Sequence, residues 1–116
     1  MKLIHSVLSV SMVSALVGAS FLAPAAHAAN IAAGKEKATA LCAACHGADG
    51  ITVIDPSYPK LAGQYPDYLA RALNDYKSGA RKNAIMMGLA SALSKEDVAN
   101  VSAYYASLPS PLSAKK

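Results

Sequence analysis

The spacing of apolar and polar positions divides the chain into segments with different periods. Leu3 to Ala23 is mostly apolar and uncharged, and Pro24 breaks the run. From Ile31 a helix is predicted to about Ala44, with Asn30 as its N-cap. Gly34 inside this helix costs roughly 1 kcal/mol relative to Ala, which points to a close crossing with another helix. His46-Gly47-Ala48-Asp49-Gly50 reads as a glycine-rich turn. Ile51 to Tyr58 has β-branched residues, but Pro56 and Pro59 bracket its end and no other stretch offers to pair with it. It is predicted to be an extended loop or a lone short strand, leading into a turn at Pro59–Gln64.

Helical spacing returns at Pro66–Ser78, where Tyr68, Leu69, Ala72, Leu73 and Tyr76 share one broad face. Pro66 suits the first helical position and Gly79 the stop. Residues 81–93 show only weak periodicity. Ser94-Lys95-Glu96-Asp97 resembles a capping box that opens a final helix to about Ser107, closed by Leu108-Pro109. Val98, Val101, Tyr105 and Leu108 follow helical spacing there, with Tyr104 alongside. The expected fold is all-α, without internal repeat, and the polar tail 110–116 is expected to be mobile.

The apolar start reads as an export signal spanning residues 1–28. Met1-Lys2 gives the positive start, and Ala26-His27-Ala28 gives the small-x-small pattern cut by a signal peptidase. Five serines dilute the run and weigh against a stable membrane span, an uncleaved anchor being the alternative. Cleavage after Ala28 would leave 88 of the 116 residues, one domain over 29–109 plus the tail. The implied compartment is the periplasm. A domain this small often needs a staple. The mature part has neither Trp nor Phe and relies on six tyrosines for aromatic bulk.

Loss of the signal simplifies the ligand inventory to Cys42, Cys45, His46, Met86 and Met87. Cys42-Ala43-Ala44-Cys45-His46 has the spacing of a haem c attachment site, in which each thiol forms a thioether and the histidine offers a nitrogen to iron. Structural zinc would want four N/S ligands. A thioredoxin-like disulfide would call for an alternating βαβ pattern that is absent from the predicted elements. One covalent haem c accounts for all three residues and would itself be the staple, so the haem-free chain is expected to be partly disordered. The whole chain carries +4; the mature part has ten basic and seven acidic residues, +3, and two haem carboxylates would bring it to about +1. The basic residues are scattered, which argues against nucleic acid as a partner. Asp49, Asp55 and Asp67 sit in turns or at a helix start, where Asp serves the backbone.

Taken in order, Ala33-Gly34-Lys35, Cys42 to Gly50, Tyr58 to Gln64, Tyr68-Leu69, Gly79-Ala80-Arg81, Met86 to Leu89, Leu93-Ser94 and Asp97 to Tyr105 resemble class I cytochromes c. The similarity is greatest to single-haem c553-type proteins and to one half of di-haem cytochrome c4. The resemblance implies an all-α fold wrapped around the ring, with His46 and a methionine as axial ligands. Counting back from Leu93-Ser94 places that methionine at Met86 rather than Met87. It further implies that the Pro59 carbonyl holds the other nitrogen of His46, and that Gly34 crosses the last helix against Val101 or Tyr104. Gln64, Tyr65 and Arg81 become candidates to hold the haem carboxylates.

The function implied is one-electron transfer between redox protein partners by a chain that is monomeric or weakly dimeric, without stable membrane insertion after cleavage. Two alternatives use the same cofactor. One is an electron-transfer subunit of a larger dehydrogenase or sulfur-oxidising complex. The other is a small haem peroxidase or gas-binding protein, which would need an open sixth position on the iron.

Overall fold

The computed structural model describes residues 28–110, and within them five helices. The export signal and nearly all of the tail read from the sequence lie outside the described residues. Helix α1 spans Ile31–Leu41, α2 Ala43–His46, α3 Pro66–Ser78, α4 Ala84–Ser91 and α5 Lys95–Ser107. No described residue is in a strand, and no helix among them is long and apolar enough to cross a membrane.

Local chemistry accounts for most boundaries. Asn30 Oδ1 accepts from the Ala33 amide (3.1 Å), satisfying a donor that the first turn of α1 leaves free. Pro66 opens α3, and Gly79 closes it in the left-handed conformation at φ 80°. At α5 the capping box is complete: Asp97 N–H donates to Ser94 Oγ (3.0 Å), and Asp97 Oδ2 accepts from the Ser94 amide (2.9 Å).

Two expectations change. The first helix does not run unbroken to Ala44. It stops at Leu41, and Cys42, at φ −111°, is the joint from which α2 starts. The Cys42 carbonyl accepts from the amides of both Cys45 and His46, so the chain re-aims at the first cysteine while staying helical through the histidine. The weakly periodic segment 81–93 contains a helix, α4, capped by Asn83 Oδ1 accepting from the Met86 amide (2.9 Å). Its sequence Ala84-Ile85-Met86-Met87-Gly88-Leu89-Ala90-Ser91 has almost no polar residues, so no amphipathic stripe marked it.

Helix α5 is the centre of the packing, touching both α1 and α3, while α4 is held through α3. Ala38 from α1, Leu69 from α3 and Val101, Tyr104 and Tyr105 from α5 form one buried cluster. Each fully buried aliphatic side chain of the Val or Leu type contributes roughly 1.5–3 kcal/mol. Gly34 lets α1 and α5 approach: a Cβ there would penetrate the Asn100 carbonyl and lie 3.0 Å from Tyr104 Cβ. The expected partner Tyr104 is thus present, while Asn100 stands where Val101 was the alternative. Asn100 also accepts the Asn30 amide through Oδ1 (2.7 Å), and Tyr104 donates its hydroxyl to the Ala48 carbonyl (3.1 Å). These two long-range bonds tie the start of α1 and the turn after α2 to the same helix.

Candidate functional site

Between α2, the 57–64 loop and helices α3, α4 and α5 lies a cavity of about 530 Å³, within the ~300–1,000 Å³ range of ligand sites. One lip comes from the joint at Cys42. A single turn onward stand Cys45 and His46, so both sulfurs and the imidazole line the cavity together. The two cysteines are free thiols and half-buried. Burial, reinforced by Cys45, pushes the Cys42 thiol up to about 11.

His46 is buried at 5% exposure, and its Nδ1 lies 2.9 Å from the Pro59 carbonyl oxygen. A carbonyl only accepts, so Nδ1 carries a proton, which leaves Nε2 as the nitrogen available to a ligand. The Tyr58 ring meets the imidazole edge at 6.0 Å between centroids. After the turn, Asp49 accepts from the Ile51 and Thr52 amides and from the Thr52 hydroxyl. Those bonds hold its carboxyl down to about 2. Asp55 does the same for Ser57. Both aspartates therefore shape the loop over His46, as their turn positions indicated.

The predicted apolar face of α3 proves to be cavity wall. Tyr68, Leu69, Ala72, Leu73 and Tyr76 all line it. Helix α4 adds Ile85, Met86 and Leu89. Met86 is half-buried in the lining, whereas Met87 is 44% exposed and outside it. Gln64 and Arg81 also line the cavity; Tyr65 does not, and its side chain is 63% exposed. The Arg81 guanidinium sits 5.0 Å from the centre of the Tyr76 ring, and the neighbouring Tyr68 phenol pushes its pKa further up.

The sequence reading missed Ser102 and the hydroxyl of Tyr105. Both line the cavity from α5, and both hydroxyls are buried without a partner among the described residues. An unanswered buried hydroxyl costs about 1–3 kcal/mol. Serine three residues before a tyrosine on an otherwise apolar helix face was the signal available. Such a wall suits a large, mostly apolar occupant that brings a few polar atoms.

Residues 31–109 match the family model for cytochrome c. The chain is 48% identical over 82 residues to cytochrome c4 of Pseudomonas aeruginosa, covering 71% of this chain and 40% of that protein. It is 43% identical over 83 residues to cytochrome c-554(548) of Halomonas halodenitrificans, covering 69% of this chain and 98% of that protein. Superposition on the crystal structure of reduced recombinant cytochrome c4 from Pseudomonas stutzeri gives a TM-score of 0.60 at 30% identity, over 70% of this chain and 50% of that one. The chain therefore spans about half or less of the cytochrome c4 proteins it matches. A helical cage in which a C-x-x-C-H lip, a loop carbonyl and an apolar helix face enclose one cavity, matched over most of its length by these proteins, belongs to the class I fold of the cytochrome c family.

Proposed function

We propose that the cavity is built for one haem c, which Cys42 and Cys45 would hold as thioethers and whose iron His46 and Met86 would ligate, and that the protein is a one-electron carrier of the periplasm. The observation that carries this reading is the assembly of both cysteines, His46 and Met86 around a single cavity. The donor set fits. An imidazole and a thioether are the axial pair of electron-transfer haems, and the orphaned hydroxyls of Ser102 and Tyr105 suit an occupant with polar atoms. When bound, the haem supplies an iron that exchanges one electron between its Fe(II) and Fe(III) forms.

The chain's residues decide how that chemistry is confined. The Pro59 carbonyl, by accepting the Nδ1 proton of His46, fixes the ring and makes Nε2 a stronger donor. The Met86 sulfur is neutral and soft, which favours the reduced iron and raises the potential. His46 and Met86 together would leave no position open to a substrate, which suits electron transfer rather than catalysis. The apolar faces of α3 and α4 keep water out, which disfavours the more highly charged oxidised state. Gln64 and Arg81, which line the cavity, would hold the carboxylates; Tyr65 is 63% exposed and outside the lining, which weighs against that role for it.

Electrons leave through the cavity mouth. Tyr68 and Ile85 line the cavity yet are 49% and 59% exposed, giving the opening an apolar rim suited to brief docking with a redox protein. The test is the mass of the secreted protein together with its reduced-minus-oxidised spectrum. The expected result is a chain starting at Ala29 with one covalent haem, low-spin in both states. Rapid, tight binding of carbon monoxide to the reduced protein would overturn the closed site and favour a reactive centre.

A further inference from the structure

Two residues of the last helix that line the cavity carry buried hydroxyls that no group among the described residues answers. Ser102 and Tyr105 stand one turn apart on α5, and each is 1% exposed. Both line the cavity, and neither hydroxyl has a hydrogen-bond partner. Other buried polar side chains nearby are met: His46 by Pro59, Asn100 by the Asn30 amide, Tyr104 by the Ala48 carbonyl. Phenylalanine and alanine would supply the same packing without an orphaned oxygen. Two such orphans on one face of one helix mark where the occupant brings a polar atom. Burial pushes the Tyr105 phenol far above its usual range, so it remains an O–H donor.

We infer that Tyr105 donates a hydrogen bond to the rim of the bound haem and thereby raises its reduction potential, with Ser102 as a second, weaker donor beside it. This rests on the haem reading above. A haem c rim offers two kinds of acceptor, a carboxylate oxygen and a thioether sulfur. Cys42 packs against the cluster that contains Tyr105, which favours the sulfur. Donation to either one draws negative charge away from the ring. The oxidised state, with its extra positive charge, loses stabilisation, and the potential rises. Removing the hydroxyl therefore lowers it.

The experiment compares wild type, Tyr105→Phe and Ser102→Ala as mature holoproteins, by mass, absorption spectrum, thermal unfolding and redox titration across pH. Tyr105→Phe is expected to keep its covalent haem, its axial-ligand spectrum and a cooperative thermal transition. Its equilibrium with a fixed redox partner should shift about threefold toward oxidation, roughly 28 mV at 59 mV per decade for one electron. Ser102→Ala should move the same way by less. A shift that is parallel at every pH identifies the sulfur, and one that alters the pH dependence identifies a carboxylate. Unchanged potentials in haem-loaded variants would overturn the inference, because the hydroxyls would then be unanswered in the holoprotein too. If Tyr105→Phe does not mature, Ser102→Ala decides by the same criterion. Wild type without covalent haem would instead overturn the reading of the cavity.

Discussion

At Gly34 the absence of one methyl group decides whether the first and last helices can touch. A Cβ there would drive into backbone, the Asn100 carbonyl, which cannot rotate away as a side chain would. Gly34→Ala is therefore expected to destabilise the protein by about 1–3 kcal/mol despite its better helix propensity, measured as a lowered urea midpoint. An unchanged midpoint would mean that α1 and α5 are not held at this distance in solution. The methionine pair poses a sharper question at the same scale. Adjacent residues on a helix point about 100° apart, so only one of two neighbours can reach a given point. Met86 lines the cavity and Met87 is 44% exposed. Met86→Ala should abolish the long-wavelength sulfur–iron band of the oxidised protein, and Met87→Ala should leave it intact. The opposite outcome would move the ligand by one residue. The sequence had already favoured Met86 through its family resemblance; what it lacked was the direction in which each side chain leaves α4.

Among the elements, α5 was the most legible and α4 the least, for opposite reasons. Helix α5 begins at a complete capping box and buries a stripe of residues against two other helices, so cap and period point to the same element. Ser94→Ala should cost about 0.5–2 kcal/mol through loss of the cap, read from thermal unfolding. The Ser94 backbone and hydroxyl, with Lys37 adding a smaller part, hold the Asp97 carboxyl below its usual value. Because the folded state then binds that proton less readily than the unfolded chain, this stabilisation is complete above the unfolded value of about 3.9 and fades as pH falls below it. Asp97→Asn is accordingly expected to lose less stability than wild type on acidification, and parallel pH profiles would show that the box does not contribute. Helix α4 shows no conventional stripe, because it lines the cavity as well as packing against α3. Its Asn83 cap was the only cue the sequence held. The break at Cys42 was hidden for another reason: a one-residue re-aiming within a continuous apolar segment leaves no mark in composition.

For the whole molecule, the cavity of about 530 Å³ takes the place that apolar side chains would fill in a core of this size. The buried cluster is small, and four of the six tyrosines of residues 29–116 lie outside the buried set. Empty, a void this large would leave its walls without packing partners, so the chain is expected to need an occupant to hold its fold. Replacing both Cys42 and Cys45 by Ala, which prevents attachment, should therefore give a chain with much reduced helical circular dichroism and no cooperative thermal transition. Near-native helicity would show that the cage forms unaided. The chemistry of the attachment lip was fixed by covalent neighbours, since two cysteines and a histidine within one turn need no distant residue to be recognised. The helix ends were equally local, because caps act within a few residues of the backbone groups they satisfy. Tertiary structure decided that the Asn100 backbone meets Gly34, how the Met86 side chain leaves α4, and that Ser102 and Tyr105 line the cavity with hydroxyls unanswered among the described residues. Each of those depends on how far apart two helices settle and how each is turned about its axis. Those quantities are set by packing between residues as much as seventy positions apart, as between Asn30 and Asn100, and local sequence does not encode them.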